Sequence, residues 1–488
     1  MSANPPWHHR QLLPQDLHNA SLSAYVRPHG WPNPVPVARY NLVVIGAGTA
    51  GLISAAAVAG LGGKVALIER HLLGGDCLNV GCVPSKTLIR AGKAAAEIRR
   101  AKSFGIEASE PHVDFAAVMA RVRRVRAELS PVDSAERFTK LGIDVFFGDG
   151  RFTGRDSLEV GGAKLRFGRC ILATGARAEI PESLALGSVP RFTNESVFTL
   201  TTLPKRLLIV GGGPIGCELG QAFARLGAKV TLMTKGGRIL PREDADAADI
   251  VANGLREDGV EICEVAEPTQ FDAVLIAAGR KPNVESLNCE AAGVIFDAKA
   301  GVTVDERLRT TNPLIFAAGD VCSLGYRFTH AADAMARMAV QNALFPSRAS
   351  TAKLIVPWAT YTEPELARVG LSETEANERG VPVNVYRHRF EDTDRGATDG
   401  ATGFAKILTA NGTDRIVGAT VVGPHAGEIV GTLSVLMQNR IGLKRLGSTI
   451  FPYPTYTEVL KKIADQYNRT RLTPTAKWAL GTWLKWMR

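Results

Sequence analysis

A chain of 488 residues with 45% hydrophobic and 22% charged side chains is ordinary for a soluble globular protein of more than one domain. Seven cysteines in that length exclude a secreted disulfide scaffold and fit a reducing cytosol, where a disulfide is more often catalytic than structural. The formal charge of +10 suits anionic nucleotides as well as nucleic acid, and no nucleic-acid motif accompanies it.

Residues 1–39 are rich in proline, histidine and tryptophan and lack clear periodicity, so a surface-lying or partly disordered extension is expected. His8 and His9 read as exposed neighbours rather than a metal site. No charged leader and apolar stretch marks a signal peptide, and no run of about 18 apolar residues marks a spanning helix. A cytoplasmic location is the expectation.

Residues 41–45 form a buried apolar strand, followed by Gly46-Ala47-Gly48-Thr49-Ala50-Gly51, an alanine-rich helix to about Leu61, and a strand over 64–69. In that context Gly46 makes the tight turn, Gly48 admits a pyrophosphate and Gly51 lets helix and strand close up. The phosphates sit on the helix N-terminus, and Glu69 reaches a ribose hydroxyl pair.

Next comes Gly74-Gly75-Asp76-Cys77-Leu78-Asn79-Val80-Gly81-Cys82-Val83-Pro84-Ser85-Lys86. Pro84 suits the first turn of a helix, which puts Cys82 beside a helix N-terminus whose dipole favours a thiolate. Cys77 can reach Cys82 only if the chain bends, which Asn79 and Gly81 allow. The spacing is poor for structural zinc. A redox disulfide is the reading, with Lys86 one turn into the helix; two core cysteines are the alternative. Arg121, Arg123, Arg124 and Arg126 cluster on a helix and read as a solvated face.

The strand, glycine turn, helix, strand pattern recurs. Residues 206–210 lead into Gly211-Gly212-Gly213-Pro214-Ile215-Gly216, a helix through Leu226 and a strand over 229–233. Here Thr234, Lys235 and Arg238 stand where a ribose acid would be. Two cations attract a 2′-phosphate, so NADPH is expected rather than NADH. Strands ending at Thr174-Gly175, Gly279 and Gly319-Asp320 allow close backbone approach to a cofactor. A helix opening at Thr329-His330-Ala331 offers its N-terminus to a reduced flavin ring. From about Ser350 an antiparallel sheet with helices is expected. Trp478, Trp483 and Trp486 among Lys477, Lys485 and Arg488 suit either an interfacial helix in peripheral membrane contact or a short helix packed on its own protein.

Two dinucleotide folds, the G-G-x-C-x-N-x-G-C-x-P-S-K motif at Gly74–Lys86 and a later sheet domain together resemble the pyridine nucleotide–disulfide oxidoreductases, over roughly residues 40–465. The resemblance implies an α/β fold of two Rossmann-like domains, for FAD and NADPH, with a C-terminal α+β dimerisation domain. It divides the chain into 1–39 extension, 40–187 FAD-binding, 188–281 NAD(P)H-binding, 282–350 return to the FAD domain, 351–465 dimerisation domain and 466–488 tail. It implies cofactor contacts at Gly46, Gly48, Gly51, Glu69, Gly75, Asp76, Lys86, Thr174, Gly175, Gly319, Asp320 and Ala331 for FAD. For NADPH it implies Gly211, Gly213, Gly216, Thr234, Lys235 and Arg238, and Gly279 is expected as a further cofactor contact. Lys86 and Glu218 match the charged pair beside the flavin, and the family is usually a homodimer in which Tyr453 and Glu458 come from the partner.

Three departures shape the expected function. Disulfide-reducing members carry His-Pro-Thr-x-x-Glu as a proton shuttle, whereas Tyr453-Pro454-Thr455-Tyr456-Thr457-Glu458 puts tyrosine in the histidine's place. An unperturbed tyrosine titrates near pH ~10 and shuttles poorly at neutrality. Mercuric reductases share that tyrosine, but their closing cysteine pair and heavy-metal domain are missing; no cysteine follows Cys322. There is also little room for the family's hairpin between Val260 and Phe271. The expected activity passes electrons from NADPH through FAD and Cys77/Cys82 to a metal ion or other small acceptor. Exposed Cys77 would meet the acceptor and Cys82 the flavin. No resident metal and no nucleic-acid partner are expected. A dihydrolipoamide dehydrogenase or other disulfide reductase is the competing enzyme reading, and a redox- or metal-responsive binding protein the competing class.

Overall fold

The computed structural model describes residues 12–181 and 187–488, so His8 and His9 lie outside the described residues. They fall into two compact units. The first takes in the chain to Gly211 with Ala222–Met233 and Val265–Leu354; the second is Gly212–Gln221, Thr234–Glu264 and Ile355–Arg488.

In the first unit, residues 12–39 depart from the expected loose extension. Asp16 caps a helix, α1 (Leu17–Val26), by accepting from the Asn19 amide, and α1 buries Leu22 and Val26 completely. After it come β1 (Tyr40–Ile45), α2 (Thr49–Gly60), β2 (Val65–Glu69), α3 (Gly75–Asn79), α4 (Cys82–Arg100) and α5 (Phe115–Leu129). Then follow β3 (Ile143–Phe147), β4 (Arg151–Gly154), β5 (Ser157–Val160) and β6 (Ala163–Leu172). The sheet runs β3-β2-β1-β6-β5-β4, and Ile315–Ala317 also pairs with β6. β3, β2, β1, β6 and Ile315–Ala317 run parallel to one another, while β5 pairs antiparallel with β6 and β4 with β5. Parallel strands covered on both faces read as unbroken apolar runs, and Leu42, Val43 and Val44 are fully buried.

The edge strand β3 is sealed by the chain before β1. Asn33 Nδ2 donates to the Phe147 carbonyl and Asn33 Oδ1 accepts from its amide, at 2.9 and 2.8 Å. Trp31 Nε1 donates to the Val145 carbonyl. The arginine cluster on α5 also departs from expectation: Arg123 and Arg126 are buried, because Asp16 reaches Arg123 at 2.5 Å as α1 packs on α5. Burial, with Arg123 adjacent, pulls the Arg126 pKa down to about 10. A second parallel sheet in this unit runs Lys229–Met233, Arg206–Val210, Ala273–Ile276, Arg191–Phe192.

The second unit is built on an antiparallel sheet in the order Pro357–Thr360, Glu365–Gly370, Ile416–Gly423, Phe404–Ala410, Val383–Arg389. Its core packs Ala367, Val369, Ile407 and Val421 against Ile429, Leu433, Leu460 and Ile463 of the helices Ala426–Gln438 and Glu458–Thr470. Two buried cations tie the sheet to the loop ahead of helix Ala245–Glu257. Arg368 meets Glu243 and Glu375 at 3.0 and 2.8 Å, and Lys406 meets Asp244, Asp246 and Glu373 within 3.1 Å. Burial opposes ionisation of Asp244, but Lys406 and the Thr374 amide and hydroxyl outweigh it and hold the carboxyl at about 2.

Candidate functional site

The glycine turns that follow β1 and the strand Arg206–Val210 open with one construction. Gly46 has φ 100° and donates its amide to Ile68 O; Gly211 has φ 120° and donates to Met233 O. A Cβ at Gly46 would stand 2.3 Å from Ala173 O, and one at Gly211 2.4 Å from Ala277 O. Each turn therefore needs glycine for both its backbone and its packing. A Cβ at Gly51 would stand 1.7 Å from Gly46 O.

Glu69, at the end of β2, is buried. Its Oε2 accepts from the Ala47 amide and its Oε1 from the His71 amide, both at 2.7 Å. Burial raises its pKa, opposed by those amides and by Arg27 and Arg70. Arg27 comes from the end of α1 and donates to the Arg70 and His71 carbonyls. Each oxygen keeps a lone pair for a ribose hydroxyl. A buried carboxylate beside a glycine cradle fits the adenosine half of FAD.

The cradle abuts the cysteine stretch directly. A Cβ at Gly75 would lie 2.6 Å from Gly48 Cα, so the phosphate loop and the turn before Cys77 touch backbone to backbone. Asn79 Nδ2 donates to Leu73 O and Gly75 O, rounding α3 into a single turn. Gly81 then bends the chain back, and a side chain there would meet Asp76 O at 2.7 Å. The bend opens α4 at Cys82 and brings the two thiols together, with the Cys77 thiol hydrogen-bonded to Cys82. Cys82 Sγ lies 3.3 Å from Thr329 Oγ1 at the head of helix Thr329–Leu344. Cys82 is the exposed sulfur and Cys77 the half-buried one, the reverse of the expected exposures, because Cys77 sits inside the α3 turn. Its contact with Cys82, with burial and the nearby Asp133 carboxyl, pushes the Cys77 pKa far up. Lys86 stands on α4 one turn after Cys82, partly exposed.

Sequence reasoning missed Arg280. It pairs with Asp76, approaches Asp320 Oδ2 at 3.6 Å and donates to Ala176 O at 2.7 Å. Burial raises the Asp320 pKa while Arg280 opposes the rise. One guanidinium thus joins the helix that carries Cys77 to the predicted ribityl aspartate. Its only signal in the sequence was its place after Gly279. Thr174 and Gly175 are held by Asn283, which exchanges bonds with Thr174 and donates its amide to Gly175 O. Gly279 O accepts from the Glu179 amide, and Ala331 is buried in the first turn of its helix.

In the second unit, Gly213 and Gly216 flank the start of helix Pro214–Arg225, and a Cβ at Gly213 would meet open space. Thr234 Oγ1 donates to Arg238 O and closes a short turn on which Lys235 and Arg238 are exposed. The Gly236 amide donates to Glu264 Oε1, so a carboxylate shares this loop with the two cations. Glu218 is buried and accepts from the Tyr361 amide at 3.0 Å. Tyr453 is 67% exposed, and its hydroxyl bonds Asp394 rather than Glu458. That bond raises the Tyr453 pKa above its ordinary value. Glu458 opens helix Glu458–Thr470 and pairs with Lys462 at 3.1 Å. His388, not foreseen from the sequence, has its neutral form favoured by burial, with Glu458 and Asp392 opposing.

Comparison with known proteins places names beside this geometry. Residues 40–336 match the model of the pyridine nucleotide-disulphide oxidoreductases, and residues 356–464 that of their dimerisation domain. The mercuric reductase of Lysinibacillus sphaericus is 32% identical over 453 residues, 88% of this chain and 83% of that protein. The dihydrolipoyl dehydrogenase of Thermus scotoductus is 32% identical over 460 residues, 88% of this chain and 98% of that protein. Among solved structures, the Cu(II) complex of the HOCl-induced flavoprotein disulfide reductase RclA from Escherichia coli superposes with a TM-score of 0.77. It is 29% identical, over 88% of this chain and 100% of that one.

Proposed function

This chain belongs to the pyridine nucleotide-disulphide oxidoreductases, and from that premise we propose that it is an NADPH-dependent reductase of a thiol-binding metal ion or similar small acceptor. The family makes it an oxidoreductase that uses FAD and a pyridine nucleotide, and its dimerisation domain supports a homodimer. The observation that carries the acceptor reading is the Tyr453–Asp394 bond. A hydroxyl committed to a carboxylate, with its pKa raised, keeps its proton at neutrality and serves poorly as a shuttle between thiols. Two adjoining thiols suit a soft metal ion without one.

Bound FAD supplies the transfer of a nicotinamide's two electrons to the sulfur pair. The chain's own residues do the rest. Glu69 and the glycine cradle hold the adenosine end, with Asp320 for the ribityl chain. Lys86 sets positive charge beside the flavin. Lys235 and Arg238 favour the 2′-phosphate of NADPH. Cys82, against Thr329 and two helix N-termini, is the flavin-side sulfur, and the amides there favour negative charge on it. Cys77 keeps its proton until an acceptor displaces it. Tyr453 of the partner subunit, with Glu458 beside it, orients the acceptor.

The test follows NADPH oxidation by the FAD-loaded protein with Cu(II), Hg(II), a quinone and lipoamide. Metal-driven turnover at least tenfold above lipoamide is expected, and lipoamide turnover as fast as any metal overturns the reading. A dihydrolipoyl dehydrogenase-like disulfide reductase is the second reading. His388 favours it, being a neutral imidazole in the neighbourhood of Glu458; under it, His388→Ala would abolish lipoamide turnover.

A further inference from the structure

The helix Pro474–Trp486 is well formed yet buries nothing. Thr473 caps it by accepting from the Ala476 amide, and Pro474 takes the first turn, where a missing amide costs no hydrogen bond. The preceding helix, Glu458–Thr470, buries Val459, Leu460, Ile463 and Ala464; Pro474–Trp486 buries no residue at all. Its side chains nevertheless sort by face. At helical spacing Ala476, Ala479, Leu480, Trp483, Trp486 and Met487 share one side with Leu484 at its border, and Lys477, Gly481, Lys485 and Arg488 take the other, where Trp478 alone among the tryptophans joins them. Trp483 and Trp486 are 55 and 76% exposed, with ring centroids 5.1 Å apart, so the apolar side is a continuous strip.

An exposed strip of this kind needs a cover, and the charge indicates which. From Arg469 onward the chain carries Arg469, Arg471, Lys477, Lys485 and Arg488 and not one Asp or Glu. A second copy would set cations against cations. Anionic headgroups would complement them, and tryptophan rings belong at the boundary between headgroup and acyl chain. Thirteen residues span only about 20 Å, too short to cross a bilayer. Among the described residues no helix is long and apolar enough to cross one. We propose that Pro474–Trp486 is an interfacial helix that seats the enzyme on an anionic lipid surface, apolar strip in the acyl boundary and cations over the headgroups.

The experiment uses the full-length FAD-loaded protein and large vesicles of phosphatidylcholine, with or without phosphatidylglycerol. Cosedimentation with the anionic vesicles and a blue shift of tryptophan emission are expected. Binding should fall at least tenfold between about 0.1 and 0.5 M salt. Replacing one of Lys477 or Lys485 with Gln should weaken it roughly fivefold. Trp483→Asp with Leu480→Asp should abolish binding while leaving turnover of a soluble acceptor and the sedimentation mass unchanged. Absence of binding at low salt overturns the proposal, as does equal binding to neutral vesicles. A change of oligomeric state in the double variant also overturns it, because the strip would then be covered by protein.

Discussion

Cys77 and Arg280 show how far single side chains set this site. The Cys77 thiol is held protonated mainly by its contact with Cys82. Cys82→Ala removes that partner, so Cys77 should alkylate several-fold faster at pH 8 than in the reduced parent protein, read by mass spectrometry of its peptide. An unchanged rate would mean that burial and Asp133 alone hold the proton. Metal capture by the reduced pair must expel that proton, so affinity for Hg(II) or Cd(II) should rise with pH from 6 to 9; a flat profile by competition titration would contradict it. Arg280→Ala leaves Asp76 and Asp320 facing one another without their common cation. Loss of a buried partner costs about 3 kcal/mol. The Asp320 carboxyl, already raised by burial, then rises further. A pKa raised on folding favours the native state below the unfolded value and penalises it as pH climbs through the folded one. The deficit in urea unfolding should therefore be full at pH 7 and shrink towards pH 4.

Among the elements, the strands, glycine turns and cysteine helix were legible because their signals are local. The apolar runs, the placement of Gly46, Gly211 and Gly81, and Pro84 after Cys82 each act over a few residues. What escaped was set by distance in the chain. Arg123 is buried because Asp16 reaches it from 107 positions away, and Asn33 caps a strand 114 positions on. The α1 helix escaped because a polar, proline-flanked stretch carries almost no periodicity; its fold depends on the Asp16 cap and on α5. Burial opposes ionisation of Asp16, but the Asn19 amide and Arg123 hold its pKa below the ordinary value. Asn33→Ala removes two backbone bonds from β3 and should cost about 1–2 kcal/mol in thermal unfolding. In the second unit, Asp244 at about 2 contributes stability that is present above pH 4 and lost as pH falls towards 2. Asp244→Asn should flatten that acid limb.

For the whole molecule, the two glycine turns built alike argue for one chain handling two dinucleotides. We propose that the turn carrying Lys235 and Arg238 sets which pyridine nucleotide is used. Lys235→Ala with Arg238→Ala should lower kcat/KM for NADPH at least tenfold and leave NADH nearly unchanged, whereas equal losses would show that these cations do not read the 2′-phosphate. Under that proposal Glu264, whose Oε1 accepts from the Gly236 amide in the same loop, would repel the 2′-phosphate, and Glu264→Gln should move the preference further toward NADPH.

The seal that Asn33 and Trp31 place on β3 also has a bearing on how copies of this chain behave in a crowd. An open outer strand is a template on which another chain can add its own backbone, the first step toward cross-β fibrils. Here the outward amide and carbonyl of Phe147 and the carbonyl of Val145 are already spoken for. Concentrated protein should accordingly stay free of thioflavin-binding deposits, and a double Trp31→Ala, Asn33→Ala form should seed them while still largely folded.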